Sequence, residues 1–488
     1  MELLEQIVRA GVVGLGGAGF PTGKKLDCRV EWLIVNGAEC EPLLRTDRYL
    51  MRHNAGRVVR AAGAVARMVG AKHCVIALKR AYTEEWKALE AALVGEGPES
   101  GGGPAAGRGP ESGGLAAGRG PAAGNYPESG GASVPGTVPI ELFPLDSFYP
   151  AGDEQVLVYE VTERVVPPAG IPLDVGTVVS NLATMNAISD AMDGIPLTKK
   201  YITVTGEVKR PTIVRAPVGT SFEECIRLAG GSKEERYCVI DGGPMMGKVM
   251  GYEEAREAAV TKTTSGIIVL DEDHYLSVLS KTPVGRMKRL ASAACIQCSY
   301  CTQLCPRNLL GHPLEPHKIM RRFAAGGDIP SLLDDPVVRQ AAICCQCGVC
   351  EQYACPMGLT PRRINALIRD EMRKAGIPYE RREALWEADP ERRNRKLPTK
   401  RAAARSGVLD YYDFEIDTLA EAAPSTVRIS LRQNMGAPAQ PVVQEGDRVR
   451  EGQLIARCPE GKLGADIHAG IGGVVTKVTD YIVIEARG

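Results

Sequence analysis

The chain has no run of about 18 uninterrupted apolar residues, the least that a membrane-spanning helix requires. Its first residues, MELLEQIVRAG, place acids where an export signal has bases followed by an apolar stretch, so a cytoplasmic location is expected. Neither sign of charge is in surplus: 59 basic side chains face 59 acidic ones. A nucleic-acid-binding domain would show a basic excess. Aromatic residues are scarce, with six Phe and three Trp among 488 residues, which leaves little material for stacking on bases. The 44% hydrophobic and 24% charged fractions exclude wholesale disorder, and the length suggests three or four domains.

Cysteine is abundant. Nine of the fifteen lie between Cys295 and Cys355. Cys295, Cys298, Cys301 and Cys305, followed by Pro306, read C-x2-C-x2-C-x3-C-P. Cys344, Cys347, Cys350 and Cys355, followed by Pro356, read C-x2-C-x2-C-x4-C-P. The first is the ligand run of a two-cluster bacterial ferredoxin, and the second differs by one residue in its last gap. Three thiolates two residues apart on a tight loop converge on one face of a cubane, while the fourth, beside a helix-starting proline, reaches the neighbouring cluster. The spacing therefore assigns Cys295, Cys298, Cys301 and Cys355 to one 4Fe–4S cluster and Cys344, Cys347, Cys350 and Cys305 to another. Cys345 is surplus to that pattern. Disulfides would need an oxidising compartment, and nothing exports the chain. Structural zinc takes four ligands, usually as two separated pairs. The remaining cysteines, Cys28, Cys40, Cys74, Cys225, Cys238 and Cys458, read as small buried hydrophobes.

A second signal lies near the N-terminus. After a helical stretch over 2–10 comes Gly11-Val-Val-Gly14-Leu-Gly16-Gly17-Ala-Gly19-Phe20-Pro21-Thr-Gly-Lys24-Lys25. Gly14, Gly16 and Gly19 match G-x-G-x-x-G, with Glu39 twenty residues on, but the dinucleotide fingerprint needs a strand before it and a helix at its end. Here a helix precedes and Pro21 follows, so that match misleads. The glycines still let backbone N–H groups approach a phosphate, with Lys24 or Lys25 adding charge; the alternative is a loop without ligand. Next, Val30–Val35 reads as a strand closed by Asn36-Gly-Ala38-Glu39-Cys-Glu41-Pro42. An amide and two carboxylates at a strand's C-terminal edge can read a ligand, or form a solvated turn.

With these segments, Tyr149-Pro-Ala-Gly-Asp-Glu154, Val178-Val-Ser-Asn181-Leu-Ala-Thr184, Gly242-Gly-Pro-Met-Met-Gly247 and the two cysteine runs, the chain resembles the RnfC/PduS-like family. These proteins are related to the NADH-binding flavoprotein subunit of respiratory complex I. The resemblance spans nearly the whole chain except 95–137. It implies that Gly14, Gly16, Gly17, Gly19 and Lys25 line an FMN phosphate and that Asn36, Asn181 and Thr184 surround the flavin. It also implies that Phe20 and Glu41 face the nicotinamide nucleotide, with Glu154 nearby and Glu39 in the same cofactor-binding turn. One departure stands out: the complex I pattern has an acid two residues after the asparagine, and this chain has Ala38, which removes a flavin contact.

The expected architecture is multidomain, α/β plus β. Residues 1–198 form an FMN/NADH-binding α/β domain interrupted by a disordered low-complexity insertion at 95–137. Residues 199–282 resemble an SLBB-type β-grasp domain, read as a spacer between flavin and clusters, and 283–380 form the two-cluster ferredoxin-type helical domain. A charged connector covers 381–424, and 425–488 resemble the barrel-sandwich hybrid of lipoyl carriers. No carrier lysine stands at its hairpin, which reads Ala465-Asp-Ile-His-Ala469. Having the sandwich last is the order of the PduS-like branch.

The expected function is an NADH-dependent oxidoreductase, passing electrons through FMN and two 4Fe–4S clusters to a partner protein, a ferredoxin or a corrinoid. The alternative is a non-enzymatic electron-wiring scaffold within a larger complex, such as a ferredoxin:NAD oxidoreductase or a methylenetetrahydrofolate reductase. The resemblance allows a place at the periphery of a membrane complex or inside a bacterial microcompartment.

Overall fold

The computed structural model describes residues 2–95, 138–381 and 384–486. From residue 96 onward, the insertion expected at 95–137 lies outside the described residues.

The first unit is built on a four-stranded sheet in the order Ile140–Leu145, His73–Lys79, Trp32–Gly37, Thr177–Asn181, every pair parallel. Both faces are covered. Leu33, Val35, Cys74, Ile76, Leu78 and Val178 pack with the helices Ala55–Val69 and Leu182–Met192. Ile34, Val75, Ala77 and Val179 pack with the helix Glu154–Thr162. Double-sided burial explains why Leu33–Val35 and Cys74–Leu78 read as unbroken apolar runs rather than alternating ones. Parallel pairing also puts Asn36 directly opposite Asn181, so two of the expected site amides share the carboxyl edge of the sheet, where α/β folds bind ligands.

The second unit is a six-stranded mixed sheet in the order Leu419–Glu421, Thr212–Pro217, Lys199–Gly206, Gly266–Asp271, Tyr237–Asp241, Lys248–Met250. The helices Phe222–Leu228 and Tyr252–Glu257 pack on it. Its edge strand Leu419–Glu421 comes from the segment read as a charged connector. That segment also pairs Leu397–Pro398 with Phe148–Tyr149 of the first unit, and its Arg392 and Lys396 meet Glu160 at 2.5 and 2.9 Å. It therefore threads through its neighbours and buries against them.

The cysteine runs sit in a helical unit that includes Val284–Ala294, Pro316–Ala325 and Pro361–Lys374, joined by a core of Met287, Leu314, Ile319, Phe323, Ile364 and Ile368. The final unit packs a four-stranded sheet on a three-stranded one around Val427, Ile429, Ile455, Ile467, Val475, Ile482 and Ile484. Its hairpin at Ala465–Ala469 is buried against the rest of the chain instead of projecting.

Ile76 is fully buried on a strand paired on both sides. Ile76→Ala should cost about 2–5 kcal/mol of stability, read as an earlier midpoint in denaturant unfolding of the first unit.

Candidate functional site

The two cysteine loops repeat one backbone device. Gln297 and Ser299 have φ of +56° and +63°, and the equivalent Gln346 and Gly348 have +60° and +80°. Left-handed residues at the second and fourth positions after the first cysteine coil each loop tightly. In each, the glutamine side chain donates back to that cysteine: Gln297 Nε2 to Cys295 Sγ at 3.0 Å and Gln346 Nε2 to Cys344 Sγ at 3.3 Å. The runs differ where their spacing differs. Tyr300–Gln303 is α-helical, whereas Val349–Ala354 is a π-helix. A π turn takes up one extra residue, so the longer last gap is absorbed and Cys355 is still delivered to its neighbour's loop.

The fourth cysteines cross over. Cys295, Cys298, Cys301 and Cys355 ring one void with Ile296, Met357 and Leu359. Cys305, Cys344, Cys347 and Cys350 ring a second with Pro306, Leu314, Arg362 and Asn365. Cys345 is in the second wall as well, so that void has five thiols. All fifteen cysteines are free. Among the described residues no three His, Cys, Asp or Glu side chains close in on one metal ion, as a zinc site requires. The amide of Asn365 is buried in the second wall without a hydrogen-bond partner of its own, yet close enough to Cys344 to favour its thiolate against the effect of burial. An orphan donor among buried thiols fits a cluster whose sulfurs accept hydrogen bonds. Burial pushes the Cys301 thiol up to about 12, so loading a cluster must expel protons from these sites.

The glycine loop is closed by a bridge between Val13 and Pro21 and held from several sides. The Leu15 N–H donates to Thr184 Oγ1 at 3.0 Å. Lys200 Nζ reaches the Leu15 carbonyl at 3.4 Å. Lys262 Nζ, buried, donates to the carbonyls of Gly11 and Asp466 at 2.7 and 2.6 Å. Burial pulls Lys200 down to about 8 and Lys262 to about 7. Gly16 lies on Asn181; a Cβ there would stand 2.6 Å from the Asn181 amide. Gly17 opens to free space, Gly14 pairs with the Phe20 carbonyl at 2.9 Å, and Gly19 accepts from Met435 N–H at 3.1 Å. Lys25 pairs with Glu154 at 2.5 Å. The structure thus brings Gly14, Gly16, Gly17, Gly19, Asn181 and Thr184 together, with Lys25 and Glu154 joined as an ion pair.

The turn after the first strand faces two ways. Asn36 donates to the Gly152 carbonyl at 2.9 Å and accepts from Ala38 N–H at 3.1 Å. Glu39 turns inward and accepts from the Asp47 and Arg48 N–H groups, at 2.8 and 3.1 Å, at the start of a helix. Burial raises its pKa; burial together with Glu39 raises Asp47 to about 7. Asn181 Nδ2 donates to Asp47 at 2.8 Å. Glu41 points to the cysteine side: it accepts from Met245 N–H at 3.0 Å and lies 3.1 Å from the Tyr149 hydroxyl. That hydroxyl is 2.7 Å from the Cys347 carbonyl. Tyr149 has one proton and two candidate acceptors. Burial pushes Glu41 up to about 7 despite these hydrogen bonds. A protonated Glu41 can donate to Tyr149 while Tyr149 donates to Cys347.

Sequence reasoning missed the contact that joins the two sites. Asp153, inside the Tyr149–Glu154 motif, caps the helix Glu154–Thr162 and holds Arg307 through both oxygens at 2.6 and 3.0 Å. Arg307 follows Cys305-Pro306, and its position directly behind a cysteine–proline pair was the one available signal. Burial would raise Asp153, but Arg307 outweighs it and holds the carboxylate below its usual range.

Removing one partner of this buried pair, as in Arg307→Met, should cost about 3–5 kcal/mol, measured as a lowered unfolding midpoint together with faster loss of iron. Glu41 gives a pH prediction. Its folded pKa of about 7 exceeds the ordinary 4.5, so the folded state holds a proton that the unfolded state has released between those values. Stability should fall as pH rises through that window and level off above it. Glu41→Gln should flatten the slope in thermal unfolding.

Comparison with known proteins agrees with this geometry. A model of the Nuo51 FMN-binding domain matches residues 7–190, and one of the SLBB domain matches 201–249. A 4Fe–4S dicluster domain matches 294–360 and an RnfC barrel-sandwich hybrid domain 415–488. Cobalamin reductase PduS of Salmonella typhimurium is 36% identical over 490 residues, covering 100% of this chain and 97% of its own. PduS of Citrobacter freundii is 35% identical, covering 99% and 96%. A component of the Na(+)-translocating ferredoxin:NAD(+) oxidoreductase complex of Acetobacterium woodii is 32% identical over 62% of this chain and 58% of its own. A chain that joins an FMN-binding domain to a 4Fe–4S dicluster domain, with full-length relatives of this kind, belongs to the cobalamin reductase PduS family.

Proposed function

We propose that the protein oxidises NADH and delivers the electrons singly, through FMN and two 4Fe–4S clusters, to a corrinoid acceptor or the protein that carries one. The observation that carries this reading is the placement of the second cysteine void. Tyr149, from the loop beside the glycine cradle, hydrogen-bonds the carbonyl of Cys347 and shares one apolar cluster with Cys347, Met245 and Leu397. Flavin, when bound, supplies the conversion of a hydride's two electrons into single ones.

In this reading Gly14, Gly16, Gly17, Gly19 and Lys25 hold the FMN phosphate, while Asn36, Asn181 and Thr184 border the ring. Phe20 and Glu154 lie toward the nucleotide. Glu39 and Glu41 shape the turn from behind: Glu39 caps a helix, and Glu41 links the turn to Tyr149. Cys295, Cys298, Cys301 and Cys355 hold one cluster; Cys344, Cys347, Cys350 and Cys305 hold the other. The full-length match to proteins named cobalamin reductases supports the corrinoid, and a ferredoxin acceptor has support from the Rnf relatives. Among the described residues no helix is long and apolar enough to cross a membrane, in keeping with a cytoplasmic place, within a microcompartment or at the edge of a membrane complex.

One observation favours a second reading, the electron-wiring scaffold without working flavin. Ala38 supplies no carboxylate, and the Asn36 amide is already engaged with Gly152 and Ala38. The visible spectrum of anaerobic protein separates the two. Flavin bands that bleach on adding NADH, with about eight iron atoms per chain, are the expected result; a cluster shoulder with no flavin would leave only the scaffold. Gly16→Ala should lower bound flavin at least tenfold while iron content stays unchanged, because its Cβ displaces Asn181.

A further inference from the structure

The two cysteine voids differ in their surroundings. The second is enclosed by Pro306, Leu314, Arg362 and Asn365, none of them exposed, and faces the first unit. The first opens outward, with Ile296 62% and Met357 44% exposed in its wall and Tyr300, 50% exposed, between Ser299 and Cys301 of the same loop. Three large apolar side chains standing in water round one redox site are more than scattered surface hydrophobes.

The helix Val284–Ala294 leads into that rim and ends on Cys295. Met287 and Ala291 face the core. The opposite stripe, at helical spacing, carries Arg286, Arg289, Leu290 and Ala293 and runs on to Ile296. With Lys281 and Lys288, the segment 281–294 has a run of cations and no acid, in a chain whose total charge is zero. Among the described residues Arg286 and Arg289 make no ion pair, whereas Lys318 and Arg322 on the neighbouring helix are neutralised by Glu315 and Asp335. Positive charge without an ion pair among the described residues thus lines the stripe that ends at the exposed rim, and Arg321 on the neighbouring helix is unpaired as well.

We infer that this face, Ile296, Tyr300 and Met357 framed by Arg286 and Arg289, is where an acidic one-electron carrier protein docks to take electrons from the outer cluster. The inference rests on the electron path of the proposed function as far as the outer cluster and places an acidic carrier protein between that cluster and the final acceptor. An apolar patch in a one-signed collar suits a brief encounter: the charges steer the approach, and the small contact releases quickly. One NADH yields NAD⁺, a proton and two electrons, so two carrier molecules are each reduced by one electron, with no bond made or broken at the face.

The test uses the full-length holoprotein and an acidic flavodoxin as probe, mixed anaerobically by stopped flow. The protein is reduced with NADH or, in a separate arm, with dithionite followed by desalting. The expected result is flavodoxin reduction that slows at least tenfold between about 50 and 500 mM salt and at least tenfold in R286E/R289E at low salt. The rate at which NADH reduces the variant's own clusters should stay unchanged. An unchanged rate and salt dependence in R286E/R289E would overturn the inference, as would dithionite-reduced clusters that pass nothing to flavodoxin. A low-salt dimer that the double variant abolishes would assign the face to a second copy and overturn it too. Failure of NADH to reduce the clusters, with the dithionite arm behaving as expected, would instead refute the electron source and leave the docking face standing.

Discussion

A single buried ion pair sets the distance over which this molecule works. Asp153 belongs to the loop beside the glycine cradle, Arg307 to the helix that follows the crossing cysteine Cys305, and both are almost out of solvent at 13% and 9% exposure. Neither could remain buried and charged alone. The carboxylate also caps its own helix through Gln155 and Val156, so its position is set from both sides. A shift of either unit away from the other would strand a charge, which makes the spacing between candidate flavin site and inner cysteine void a stiff coordinate.

The β-grasp unit supports that coordinate from below. Sequence reading cast it as a spacer; in the fold it grips both neighbours. Lys200 and Lys262 reach carbonyls of the glycine loop, while the Gly242–Gly247 turn fills the space between Glu41 and the second cysteine run. Gly243 has no room for a side chain because Glu41 occupies it. On the far side, the Met245 carbonyl accepts from Arg362 and from Gln352. The carrier-like hairpin of the last unit ends up in the same junction, its Asp466 carbonyl capping Lys262. A segment that elsewhere would swing serves here as a wedge.

The parts readable from sequence were those whose chemistry is local. Ligand spacing is a property of one loop, so the cysteine runs announced themselves, and the apolar strand at Val30–Val35, buried on both faces of its sheet, did likewise. Thr177–Asn181 escaped notice as a strand, yet the motif around Asn181 was picked out. What could not be read is what depends on partners far along the chain. Asp153 and Arg307 are 154 residues apart. Lys200 and Lys262 look like ordinary surface lysines until the fold removes their water. The strand Leu419–Glu421 exists only because an open sheet edge accepts it. Glu41 shows the limit most clearly: its place in the motif was plain, but its direction, toward Tyr149 and Cys347, depends on two other units.

The two cysteine sites differ in what surrounds them, without reference to any partner. Around the inner void the favourable groups are fixed: Arg362 in the wall, Arg307 acting on Cys345, and the orphan amide of Asn365. Around the outer one they are the Gln297 amide and the solvent itself. Charge, hydrogen bonds to sulfur and exposure to water all favour the reduced form of a cluster. The inner site thus draws on built-in charge and the outer one on exposure to water. Among the described residues the outer site has the more exposed wall, with Ile296 and Met357 open to solvent, whereas Pro306, Leu314 and Asn365 close the inner one.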